Sequence, residues 1–305
     1  MSKDYVRTVL RTYAKRYFDN IAALSLWRMR YLDFYAPLSN KFNLAVILFD
    51  LTPDTLVTLF ELNADIQKLP NVNASAEVFD ANNFFARYAR GFLPEVYIVK
   101  HGDFIEETDF CNELRGKDYK CDTEAIDETI DRAFISYGIA LNELILGDFK
   151  SAIENIAYSL GYATIALYQH AKGKVPDTLS DVIESMPKNK KEFIGTILDK
   201  IINLINRSDL PKHLEDLIEK DLYPCEKLQV MLQDYYSREL ILWQYQLLGI
   251  VWREINDKML SMELFIRKLL KSTEDLPYMQ IELRGTKPVP VLRIKGPEVI
   301  SLELA

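Results

Sequence analysis

A change of apolar period near Thr123 limits this chain more than any other feature. Ahead of it, stretches with apolar residues every three or four positions alternate with short apolar runs. From Thr123 to about residue 271 the period is helical throughout. One continuous sheet cannot satisfy both patterns, so the expected class is α+β. A small N-terminal mixed α/β domain (1–115) should precede an antiparallel helical bundle (116–275) and a short C-terminal β-hairpin (276–305). The 305 residues are enough for more than one core.

Within the first part, Val6, Leu10, Tyr13, Tyr17, Ile21, Leu24 and Trp27 step by three and four, which predicts a helix over 4–30. Strands are expected at 31–37, stopped by Pro37, and at the apolar run 44–50. Thr52 and Pro53 start a helix to Gln67; further strands are read at 75–81 and 94–103. The charged stretch from Glu106 to Asp122 is read as the boundary. Beyond it, Ile126, Ile130, Phe134, Tyr137, Leu141 and Leu144 mark one helix ending at Gly147. Ala152, Ile156, Leu160 and Leu167 mark a second, ending near Gly173 and antiparallel to the first. Helices follow at 178–186, 190–206, 212–222 and 226–271, the last with a break expected near Gly249. After Asp275, β-prone runs return, and the prolines there suit edge strands.

Charge and composition exclude several functions. The net charge of -8 argues against a broad basic surface for duplex DNA, while 37 Lys and Arg leave room for a local basic pocket. No apolar run nears the roughly 20 residues that span a bilayer, and the first residues lack a signal-like core. The expected setting is cytoplasmic, with no membrane partner. Cys111, Cys121 and Cys225 fit no zinc spacing and read as buried thiols. A Cys111–Cys121 bridge is the alternative that a thermophilic source would favour. No phosphate-binding glycine loop, HExxH or GxSxG occurs, and neither a metal site nor a cofactor is expected.

Residues 147–178 carry Gly147, Asp148, Phe149, Ala152, Tyr158, Ala163, Gly173, Pro176 and Thr178 in a characteristic order. This stretch resembles the central helix pair of HEPN domains; any antiparallel helix hairpin is the other reading. HEPN domains often accompany a minimal nucleotidyltransferase, and the N-terminal order of helix, strand, strand, helix, strand is similar to one. That resemblance implies a Gly-Ser turn after the first strand, Ser-Asp-x-Asp opening the second, and a third acid on the next. Two carboxylates at i and i+2 on a strand face the same way and can share divalent metals about 3.5–4 Å apart. Here Ala36-Pro37-Leu38-Ser39 replaces the turn, and Asn40-Lys41-Phe42-Asn43 replaces the acidic motif. Only Glu77 stands where a third acid would. An ammonium repels a metal and an amide oxygen ligates it weakly, so the resemblance implies a vacated transferase site at Lys41, Asn43 and Glu77. The bland reading is an ordinary strand with surface residues.

HEPN ribonucleases place Arg and His four to six residues apart at the start of a late helix. Arg207 and His213 have that spacing, with Pro211 between them, and would act as phosphate-binding and proton-transferring groups. An exposed interhelical turn is the competing reading. Lys188, Lys190, Lys191 and Lys212 could assist only by gathering near Arg207. His170 is expected to cap a helix end, and His101 to lie in a turn after a strand. The leading functional expectation is a non-catalytic protein that binds a nucleotide, an RNA or a protein partner. A metal-independent ribonuclease, working as a homodimer through Arg207 and His213, is the first alternative. A scaffold subunit using the long C-terminal helix is the second.

Overall fold

The computed structural model describes residues 3–35, 41–70, 72–186, 188–208, 225–255, 279–284, 287–293 and 299–301. The chain is α+β and divides into two compact units. One comprises Met1–Ile126 with Lys172–Val175; the other comprises Asp127–Ala171 with Pro176–Ala305.

The first unit is built on a four-stranded mixed sheet in the order β3-β2-β1-β4. Helix α1 (Lys3–Tyr17) leads into β1 (Ile21–Trp27), which pairs antiparallel with both β2 (Phe42–Leu48) and β4 (Asp103–Glu106). Helix α2 (Thr55–Gln67) then crosses to β3 (Ala74–Asp80), parallel to β2. Leu24 and Leu26 of β1 share one face with Leu44, Val46 and Leu48 of β2. They pack with Leu10 and Ala14 of α1 and Leu62 and Ile66 of α2 into a core.

Side chains from the two helices engage both edge strands. On β3, the Asn63 side chain donates to the Ala76 carbonyl at 3.0 Å and accepts from the Ala76 N–H at 2.7 Å. On β4, Asp103 pairs with Arg7 and Glu106 with Arg11 and Lys15, one stripe of α1.

Three expectations fail here. Residues 21–27 are not the end of a long helix but the strand β1, buried on both faces, so no alternation betrays it. Of the strand expected at 31–37, residues 31–35 are described, and they run through a 3-10 turn (Arg30–Leu32) that buries Tyr31 and Leu32. Residues 94–103 are mostly helix α4 (Leu93–His101), with Pro94 in its first turn and Val96, Tyr97 and Ile98 fully buried. For β1 and α4, burial on nearly all sides erased the period that separates helix from strand; at 31–35 the short apolar run is a turn whose Tyr31, Leu32 and Tyr35 are buried.

Helix α3 (Ala81–Ala89) precedes α4, and a partly buried ion pair joins them: Arg87 Nε donates to Glu95 Oε1 at 2.6 Å. Residues 106–122 include α5 (Asp109–Gly116), followed by a segment paired through its backbone. Lys120 N–H donates to Ala89, Asp122 N–H to Arg90, and Cys121 N–H to Gly173 on the returning segment. Lys174 donates to Asp118 at 2.8 Å, and the Tyr119 hydroxyl accepts from Val175 N–H. Cys111 and Cys121 are buried free thiols, so they form no bridge.

Helix α6 (Thr123–Leu146) begins in the first unit and continues into the second. It is followed by α7 (Phe149–Lys172), α8 (Leu179–Ser185), α9 (Lys188–Ser208) and α10 (Cys225–Ile255). Gln244 donates to Ser159 at 2.9 Å and Ser159 donates to the Ala133 carbonyl at 2.8 Å, tying α10, α7 and α6 through buried groups. Tyr137, wholly buried, donates to the Ile241 carbonyl, and burial pushes its phenol well above the usual range. Helix α10 runs through Gly249 without a break. The helix expected at 212–222 and the 256–271 end of the last one lie outside the described residues.

Strands β5 (Met279–Arg284), β6 (Lys287–Arg293) and β7 (Val299–Ser301) form an antiparallel sheet. Pro288 and Pro290 fall on its middle strand, contrary to expectation. Among the described residues, however, β7 pairs only with 291–293. Both prolines therefore occupy the part of β6 that has one described neighbour, where a missing N–H costs nothing.

Candidate functional site

The rim formed by the end of β1 and the starts of β2 and β3 collects the residues of interest. Register places Asn43 opposite Ser75 on β3 and Trp27 on β1. One pleat repeat deeper, Ala45 lies opposite Glu77 and Ser25. Since Leu44, Val46 and Leu48 face the core, alternation puts Trp27, Ser25, Asn43, Ser75 and Glu77 together on the other face. Lys41, half-buried, stands just ahead of β2. A row of Trp, Asn and Ser, with Lys outside and Glu inside, is a polar rim.

Its chemistry differs from a metal-binding one. Ser75 Oγ donates to Asn43 Oδ1 at 3.0 Å. The Asn43 oxygen thus has one acceptor position engaged, and the side chain offers an N–H₂ donor and at most a weak neutral oxygen in place of a carboxylate. Glu77 is half-buried and opposes Ala45, roughly 6.6 Å along the strand from the Asn43 row. Among the described residues, no three His, Cys, Asp or Glu side chains converge to hold a metal.

Trp27, Ser25 and Arg28 escape a sequence reading because residues 21–28 look helical. Trp27 is 6% exposed, and its indole N–H has no partner among the described residues, nor has the Ser25 hydroxyl. Arg28 lies 5.9 Å from the Phe42 ring centroid and 3.4 Å from Asp33. The break at Asp19-Asn20 is the one signal that a strand begins there. Residues 36–40, where the phosphate-binding turn was sought, lie outside the described residues. With β1 ending at Trp27, the connection to β2 is 28–41, and it contains no glycine at all.

The second candidate pair is not brought together by the described structure. Arg207 lies in the last turn of α9, and His213 lies outside the described residues, as does Lys212. Lys188, Lys190 and Lys191 occupy the first turn of that same helix. At 1.5 Å per residue they are roughly 24–28 Å from Arg207 along the axis, so they do not gather around it. His101 ends α4, its ring 5.4 Å from that of Tyr97, rather than following a strand. His170 is exposed in the last turn of α7.

The residues carrying the helix-pair resemblance have local structural work. Gly147 adopts φ +80°, closing α6, and Asp148 caps α7 by accepting from Ser151 N–H at 3.0 Å and from its hydroxyl at 2.8 Å. These bonds, the backbone one first, hold the Asp148 carboxyl below its usual range. Ala152 and Ala163 are buried, and Thr178 with Asp181 forms a capping box that starts α8. Any antiparallel helix hairpin needs such devices.

No protein-family model matches this chain. No curated protein matches it. Among solved structures, a nucleotidyltransferase-like protein from Exiguobacterium sibiricum is similar at 14% identity over 98% of each chain, with a TM-score of 0.24. That score is too low to establish a common fold. No helix among the described residues is long and apolar enough to cross a membrane.

Proposed function

We propose that this chain is a binding protein whose N-terminal unit is a degenerate nucleotidyltransferase-like scaffold. It holds a nucleotide or an RNA end by its phosphate and does not transfer it. One observation carries this reading: Lys41 and Asn43 stand at the start of β2, where transferase chemistry would need two carboxylates. An ammonium and an amide N–H₂ favour an anion and disfavour a divalent metal. Glu77, deeper on the same face, can accept from a hydroxyl or a base amine.

The test titrates ATP, UTP and a short single-stranded RNA into the full chain, with and without magnesium. Binding should be independent of magnesium, weaken by at least about tenfold in Lys41→Glu, and release no pyrophosphate. Pyrophosphate release by the wild type, or no binding of any of the three, would overturn the proposal. RNA cleavage lost in both Arg207→Ala and His213→Ala would replace it with the ribonuclease reading.

A further inference from the structure

Helix α2 is apolar on two sides. Thr55, Leu62 and Ile66 are buried, with Leu62 and Ile66 in the sheet core and Leu59 packed against it. Facing away from that side, Leu56 is 66% exposed, Val57 60% and Phe60 75%, the i, i+1 and i+4 positions of one turn. Phe49 and Leu51, just before the helix, are each about half exposed. Single exposed apolar residues need no explanation, but five within twelve positions do. The three on the helix alone present on the order of 350 Å² of apolar surface, within the range of the largest patch a monomer exposes.

The charged residues between Phe49 and Glu61 have one sign, while the cations nearest this helix, Arg16 and Lys68, lie by Asp65 towards its C-terminal end. Asp50, Asp54 and Glu61 are exposed, and the sequence has no Lys or Arg between Lys41 and Lys68. Asp65 is already engaged, accepting from Tyr17 at 2.7 Å and from Lys68 at 2.9 Å. We propose that this side of α2 docks an amphipathic helix of a partner protein, whose apolar stripe is flanked by Lys or Arg. Size and charge both select that occupant. The patch falls short of the roughly 800 Å² per partner of a standard domain interface, yet it suits a single helix anchored at i and i+4. A second copy docking symmetrically on the same surface would bring its own Asp54 and Glu61 against these, a like-charge penalty. Helix α2, which carries Leu56, Val57 and Phe60, packs on the face of the sheet opposite Asn43 and Glu77, so nothing in this inference depends on the rim binding a ligand.

The experiment uses two labelled 18-residue helical peptides with the same leucine stripe, one flanked by lysines and one by glutamates, followed by anisotropy against the full chain. The lysine peptide should bind at least about tenfold more tightly than the glutamate peptide. Phe60→Ser should weaken it by about tenfold or more with the circular dichroism unchanged. The double variant Asp54→Lys, Glu61→Lys should reverse the preference between peptides. Equal binding of both peptides, or binding of neither, overturns the proposal. So does a dimer in sedimentation, or adsorption to phosphatidylcholine vesicles, that Phe60→Ser abolishes, since the occupant would then be a second copy or a membrane.

Discussion

Lys15 donates to Glu106 at 2.8 Å, and Arg11 approaches the other carboxylate oxygen at 2.5 Å. The Lys15 bond first, then Arg11, holds the Glu106 carboxyl below its usual range. A depressed folded-state value means the contact stabilises above the unfolded value, about 4.3, and that this is lost as pH falls through the folded value. Because Glu106 is partly exposed, the effect is about 1 kcal/mol or less. Glu106→Gln should therefore destabilise by that amount at pH 7 in urea melts, and the difference should fade below pH about 4. A difference unchanged at pH 3 would contradict the assignment. At this scale the sequence was legible where chemistry was written directly: Lys41 and Asn43 need no coordinates to show that β2 opens on an ammonium and an amide and not on acids. It was illegible where a residue's meaning depends on its neighbour across a strand. Trp27 and Ser25 belong to the rim only because β1 lies beside β2.

Single turns show how elements are joined. Gly147 and Gly91 both have positive φ, +80° and +81°, but their surroundings differ. Around Gly147 a methyl group would meet nothing within 4 Å, whereas at Gly91 it would lie 2.6 Å from Cys121 Cα. Gly147→Ala should cost about 1–2 kcal/mol, the left-handed penalty alone. Gly91→Ala should cost about 1–3 kcal/mol more, because the Cys121 backbone must move. Equal losses in denaturant titrations would refute the close approach. The Gly147 turn was readable because a glycine and a capping acid sit between two long amphipathic runs. Helix α4 was not: Val96, Tyr97 and Ile98 favour strands locally, and tertiary burial overrode that preference.

For the whole molecule, the informative feature is the pairing of 117–122 with Lys172–Val175 and with the end of α3. A charged, cysteine-bearing stretch suggests an exposed joint, but its backbone groups are bonded to Ala89, Arg90 and Gly173. Hydrogen exchange should find the amides of Lys120, Cys121 and Asp122 protected, and limited proteolysis should spare this segment. Exchange at open-loop rates would contradict the pairing. The periodicity change at Thr123 marked the start of α6 but could not reveal that the chain comes back, because a four-residue return leaves no periodic trace.

That return sets an order of events during synthesis. The N-terminal unit is translated first, yet its last four residues, Lys172–Val175, are made only at and after the end of α7. At roughly 5–20 residues per second, the ribosome needs some seconds between Ile126 and Val175. Throughout that interval Cys121 N–H waits for the Gly173 carbonyl, and Tyr119 for the Val175 amide. The nascent first unit is therefore incomplete until the hairpin of the second has been made, and a stalled or truncated chain ending within α7 would leave it open.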